Sequence, residues 1–209
     1  MSTISAIAVN GEADADRRRE QRHKTIMRVG VLHGAGYKEL CLVRNISAGG
    51  LMARIYRELP VGETLKIELK EGQFLPGRVA WARDWYVGLT FDEAIDVEEA
   101  LASRWISECG QRPRLPRIEV ECPARVRIGS RFYAGTLRNI SQGGAKVEIA
   151  RSLEAWGDAS LRVADLPPFA SQIRWMFGDC LGLSFNERLP FEVLALWLHN
   201  QRTGDAPQP

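Results

Sequence analysis

Residues 44–53 read Arg44-Asn45-Ile46-Ser47-Ala48-Gly49-Gly50-Leu51-Met52-Ala53, and residues 138–147 read Arg138-Asn139-Ile140-Ser141-Gln142-Gly143-Gly144-Ala145-Lys146-Val147. Six of the ten positions are identical at an offset of 94 residues. The same offset carries Trp81 onto Trp175, Gly88 onto Gly182, Leu89 onto Leu183 and Phe91 onto Phe185. Two separated blocks agreeing on one offset indicate a duplication. Solenoid repeats run about 20–50 residues, so a repeat of this length is a whole domain. The boundaries are drawn at residues 17–110 and 111–203, with tails at 1–16 and 204–209.

Each half reads as short strands followed by one helix. Thr64-Leu65-Lys66-Ile67-Glu68-Leu69 alternates apolar and polar side chains, the period of a half-buried strand. Arg78 to Trp81 and Tyr86 to Phe91 continue the pattern, with Arg83-Asp84 as the turn. Glu119 to Glu121 and Arg125 to Ile128 alternate likewise, with Gly129-Ser130 as the turn. Short strands and frequent glycine turns predict a small closed antiparallel barrel. Val97, Leu101, Trp105 and Cys109 form one apolar stripe of a helix that Asp96 caps and Gly110 ends. Pro190 suits the start of a second helix, with Val193, Leu194, Trp197 and Leu198 as its buried face. Trp81, Trp105, Trp175 and Trp197 are read as core.

Of the 209 residues, 45% are hydrophobic, enough for packed cores, and 28 basic against 26 acidic residues leave a formal charge of +2. That balance argues against a dedicated duplex-DNA binder. No apolar run approaches the roughly 18 residues of a membrane span. The first 16 residues carry no signal-peptide pattern. Cys41, Cys109, Cys122 and Cys180 are scattered, as expected of reduced, buried cytoplasmic thiols. His23, His33 and His199 lack metal-ligand spacing. No nucleophile elbow, zinc-protease or phosphate-loop motif occurs, so an enzyme is not expected.

Two elements stand out. Arg17-Arg18-Arg19-Glu20-Gln21-Arg22-His23 precedes the first strand. Guanidinium groups offer paired donors to phosphate oxygens and to the O6 and N7 acceptors of guanine. A solvated charge run is the plainer reading. The Asn45 to Gly50 turn is the second. It is either a strand connection, with glycine supplying positive φ, or a bare shoulder that a ligand approaches closely.

Taken together and in this order, the two elements resemble the PilZ domain family, marked by an RxxxR segment and a later [D/N]xSxxG segment. Arg18 and Arg22 supply the first motif; Asn45, Ser47 and Gly50 supply the second. Trp81 and Gly88-Leu89-Thr90-Phe91 are similar to the family's late strands. The resemblance implies two tandem six-stranded antiparallel barrels, each followed by a C-terminal helix. It also implies binding of cyclic di-GMP, with Arg18 and Arg22 on guanine edges and phosphates and Asn45 and Ser47 on the barrel side. In the second half Asn139, Ser141 and Gly144 keep the second motif. The basic segment Arg112-Pro113-Arg114-Leu115-Pro116-Arg117 loses the first, because Pro113 stands where Arg18 would align. Arg114, Arg117, Asn139, Ser141 and Gly144 are accordingly a second, weaker site.

The expected function is a cytoplasmic cyclic di-GMP receptor that changes its domain arrangement on binding and signals to a protein partner. The alternative is a ligand-free adaptor between proteins. No cofactor other than this ligand is expected, nor membrane insertion, nor nucleic acid; homodimerisation stays open.

Overall fold

A computed structural model describes residues 26–70, 72–101, 115–149 and 156–203. The front half contains β1 (Arg28–Gly34), β2 (Tyr37–Ser47), β3 (Gly50–Arg54), β4 (Thr64–Lys70), β5 (Gln73–Arg83), β6 (Tyr86–Phe91) and α1 (Val97–Leu101). The back half contains β7 (Ile118–Ile128), β8 (Arg131–Ser141), β9 (Gly144–Ile149), β10 (Asp158–Val163), β11 (Phe169–Phe177), β12 (Cys180–Phe185) and α2 (Phe191–Thr203). All strand pairs are antiparallel, and both sheets close, in the orders β1-β2-β3-β6-β5-β4 and β10-β11-β12-β9-β8-β7. The expected pair of six-stranded barrels is thus present.

Alternation builds each core. In the front barrel Leu32, Cys41, Val43, Ile67, Val79 and Val87 are almost fully buried. Burial pushes the Cys41 thiol up to about 12, which leaves it an inert small hydrophobe. Phe169 and Phe185 stack at 4.5 Å in the back barrel. Asp96 Oδ1 accepts the Glu99 N–H at 3.0 Å, so the expected cap forms. Trp105, Cys109 and Gly110, expected to extend and end that helix, lie outside the described residues.

Three expectations are corrected. First, the β5–β6 turn is Asp84-Trp85, both at positive φ (51° and 64°), one residue later than expected. Second, the buried face of α2 is Phe191, Leu194, Ala195, Trp197 and Leu198, whereas Val193 is exposed. Third, Trp81 and Trp175 are not core residues. Bulges between Val79 and Trp81 and between Ile173 and Trp175 break the alternation and turn both indoles outward. Each indole covers the glycine directly across the ladder, Gly88 or Gly182, where a Cβ would stand 2.1 Å from the indole Nε1. Trp197 is buried as expected, its Nε1–H donating to the Ala164 carbonyl at 2.9 Å.

The barrels touch through α2. Glu39 to Val43 are all buried, because β2 is covered on both faces. Cys41 and Val43 join the front core, while Leu40 and Leu42, with Val31 and Tyr56, continue the apolar cluster of the back barrel and α2. At the rim, Arg202 donates to Glu39 Oε2 at 2.8 Å, Arg54 approaches Glu192 at 3.7 Å, and the Tyr56 and Phe191 rings lie 6.2 Å apart.

Candidate functional site

The two repeated decapeptides, residues 44–53 and 138–147, form the β2–β3 and β8–β9 hairpins. Asn45 faces Met52, and Ser47 faces Gly50. The turn glycines do not adopt positive φ, contrary to the expectation. Gly50 is required by close approach instead: a Cβ there would meet the Leu89 carbonyl oxygen at 2.2 Å, and the same holds for Gly144 against Leu183. Gly50→Ala should therefore lower stability by about 1–3 kcal/mol, since backbone on both sides must shift. Gly49, with open space around its Cβ position, is the control. Urea melts should place Gly49→Ala within about 0.5 kcal/mol of the parent. Equal losses in both variants would refute the close-approach argument.

The serine hydroxyl is engaged inside the turn. Ser47 Oγ donates to the Gly50 carbonyl at 3.2 Å, and Ser141 Oγ donates to Gly144 likewise while accepting the Gly143 N–H at 3.3 Å. Ser141 is buried, whereas Ser47 is half-buried. The turn is also pinned to the chain leading into the helix: Ile95 N–H donates to the Ala48 carbonyl and Phe91 N–H to the Gly49 carbonyl, both at 2.9 Å. It is a rigid shoulder.

Register extends the shoulder into a surface. Asn45, Met52, Gly88 and Trp81 are successive cross-strand partners over β2, β3, β6 and β5. One outer row thus offers an amide, a thioether and an exposed indole lying over a glycine. Ser47, Gly50, Thr90 and Arg78 form the adjacent row. Arg83 stands 5.7 Å from the Trp81 ring. In the back barrel the first row becomes Asn139, Lys146, Gly182 and Trp175.

Charge separates the two shoulders. Arg138 is clamped between Glu148 at 2.6 Å and Glu121 at 2.9 Å. Its counterpart Arg44 makes no ion pair among the described residues, because Arg54 and Met27 occupy the positions of Glu148 and Glu121. The front shoulder is open to an anion; the back one is internally neutralised. Arg44, Arg54 and Trp81 are the residues that motif reading missed. The offset of 94 held the signal, since it aligns Arg54 with Glu148.

Arg18, Arg22 and Arg114 lie outside the described residues. The structure does show where the preceding segment leads. Ile26 N–H donates to the Arg44 carbonyl at 3.1 Å, so the chain enters β1 beside the shoulder. Arg22 is four residues upstream, within about 14 Å of that point even if fully extended. In the back barrel the corresponding segment reaches its own shoulder: Arg117 Nη1 donates to Asn139 Oδ1 at 3.0 Å, and Leu115 Cδ1 would lie 3.2 Å from a Cβ on Gly143. The structure therefore brings together Arg117, Asn139, Ser141 and Gly144.

Among the described residues no group of His, Cys, Asp and Glu is placed to hold a metal ion, and no helix is long and apolar enough to cross a membrane.

Two tandem closed barrels with a glycine-tight shoulder on each define a duplicated small-barrel module. Residues 16–108 and 111–195 both match the PilZ domain, and the chain belongs to that family. No curated protein sequence matches it. Similar solved structures include the Borreliella burgdorferi PlzA protein in complex with c-di-GMP, at 14% identity over 91% of this chain and 97% of that one, TM-score 0.37. The Bacillus subtilis inhibitor of motility MotI/DgrA is 14% identical over 88% and 99%, TM-score 0.34. Escherichia coli YcgR in complex with c-di-GMP is 13% identical over 87% and 89%, TM-score 0.33. The family assignment rests on the domain match.

Proposed function

We propose that the chain is a cyclic di-GMP receptor whose front barrel binds the dinucleotide and whose back barrel leaves it unbound and acts as an adaptor. The observation carrying this is the contrast between Arg44, without a carboxylate partner among the described residues, and Arg138, held by two. A cyclic dinucleotide brings two phosphate charges and two flat guanines. The front shoulder offers Arg44 for a phosphate and the Asn45 amide for a guanine edge. It adds the Met52–Gly88–Trp81 row as an apolar bed for a ring. Arg18 and Arg22, tethered just upstream, close over the ligand. A dianion on the back shoulder would instead meet Glu121 and Glu148.

Arg54 links this site to the second barrel. It sits two residues from Met52 on β3 and approaches Glu192 of α2. A phosphate on the shoulder competes with Glu192 for Arg54 and so loosens α2 from the front barrel. That exchange supplies the change in domain arrangement, which a protein partner then reads.

Titration calorimetry of the full chain with cyclic di-GMP tests the reading. Saturable binding is expected to weaken about tenfold in Arg44→Ala, the loss of one charge-assisted contact. Asn139→Ala on the back barrel should bind as the parent does. Absence of saturable heat in the parent would remove the receptor reading. Equal losses in Arg44→Ala and Asn139→Ala would keep the receptor and overturn the assignment to the front barrel.

A further inference from the structure

A strongly charged face of the back barrel has no counterpart in the front one. Along β7, Ala124 and Val126 are buried, so Arg125 and Arg127 point outward. Along β10, Ala159, Leu161 and Val163 are buried, which puts Ser160 and Arg162 outside. Arg162 is the direct cross-strand partner of Arg125. Arg131 opens β8, and Phe132 stands directly opposite Arg127. All four guanidinium residues are exposed, and none forms an ion pair among the described residues.

Like charges directly opposite each other weaken a ladder. The front barrel avoids this at the same positions. There the offset gives Val31 for Arg125, His33 for Arg127 and Glu68 for Arg162, and His33 Nε2 lies 2.8 Å from Glu68 Oε2. The back barrel keeps an uncompensated arginine face that stability alone disfavours.

Exposed rings adjoin it. Phe132 and Trp156 are each 62% exposed and Phe177 is 85% exposed. They lie at the same end of β8, β10 and β11; β8 and β10 flank β7, and β11 pairs with β10. Guanidinium groups interleaved with open aromatic faces match a chain that alternates phosphates with exposed flat bases. A duplex hides its base faces, and a small dinucleotide would not span four strands.

We propose that the outer face of β8, β7 and β10 binds single-stranded nucleic acid without sequence preference. The overall charge of +2 does not count against it, because part of the balancing charge lies on the front barrel, and on the face itself Asp158, at the start of β10, is set against four arginines. Asp92, Glu93, Asp96, Glu98 and Glu99 cluster after β6 of the front barrel, and all are exposed.

The test is fluorescence anisotropy of the full chain with a labelled oligodeoxythymidylate of about 20 nucleotides. Binding at about 50 mM salt is expected to be saturable and to weaken about 50-fold at about 200 mM, the loss that four phosphate contacts on a single strand produce. Arg125→Glu/Arg162→Glu should weaken binding at least about tenfold. Phe132→Ala/Trp156→Ala should weaken it about tenfold with an unchanged salt slope, which separates stacking from bulk charge. Circular dichroism checks that the variants fold. No saturable binding, or affinity untouched by the arginine reversal, would overturn the proposal. So would polyglutamate of similar length competing as well as the oligonucleotide, which would assign the face to an acidic protein.

Discussion

Arg202→Ala is expected to lower stability by about 3 kcal/mol, the largest loss of any single exposed-rim substitution in this chain. Glu39 is 1% exposed, and Arg202 supplies its charged partner at 2.8 Å. Its other oxygen, Oε1, is buried without a donor among the described residues. Burial pushes the Glu39 carboxyl above its usual range, while Arg202 and then Arg57 pull it back. Removing Arg202 leaves a carboxylate that must stay buried unpaired or bind a proton. The pH dependence follows in sign. A carboxyl raised in the folded state binds protons more tightly there than in the unfolded chain. Its contribution is fully present below the unfolded value and is lost as pH rises through the folded one. The deficit of Arg202→Ala should accordingly be smaller at about pH 5 than at about pH 8. Glu39→Leu/Arg202→Leu should recover most of it, since apolar replacement of both members of a buried pair is near neutral. Urea melts at the two pH values decide: a deficit under about 0.5 kcal/mol, or one that grows toward acid, would contradict the account.

That ion pair also marks where reading the sequence stops. The barrel strands were legible where one face is wet, as in Thr64 to Leu69, because alternation survives. Leu40-Cys41-Leu42-Val43 shows no alternation, because α2 and the back barrel cover its second face. A strand buried on both sides looks in sequence like any apolar run. Trp81 and Trp175 were misplaced for a related reason. Counting by twos from Val79 puts residue 81 inside, and only the bulge reverses it. The paired glycine, visible at the same offset in both halves, was the available clue. At the shoulder the motif positions were legible, but the charge state was not. Arg44 and Arg138 are identical letters. Their difference lies in Glu121 and Glu148, which register and side-chain reach bring onto one arginine.

Arg18→Ala/Arg22→Ala is expected to reduce cyclic di-GMP affinity by at least about 100-fold, more than any pair of barrel substitutions. On the proposed reading each arginine would contribute charge-assisted, paired hydrogen bonds worth about 1.5–3 kcal/mol, and about 1.4 kcal/mol is tenfold in affinity. Both belong to the segment entering beside Arg44, where Ile26 meets the Arg44 carbonyl. The back barrel supplies the internal comparison, since Arg117 from the matching segment already reaches Asn139. Ser47→Ala should act differently. Its hydroxyl donates to the Gly50 carbonyl, so its loss relaxes the turn and costs about three- to tenfold in affinity together with some stability. The arginine pair should leave the melting transition unchanged, because the two side chains lie upstream of the first strand. Calorimetry on the two variants separates a ligand contact from a shoulder that is merely held in shape. If the arginine variant binds within about threefold of the parent, the segment does not close over the ligand, and recognition falls to Arg44, Asn45 and the Trp81 row alone. If Ser47→Ala instead proves the more damaging, the hydroxyl leaves the turn to meet the ligand, and the shoulder is remodelled on binding.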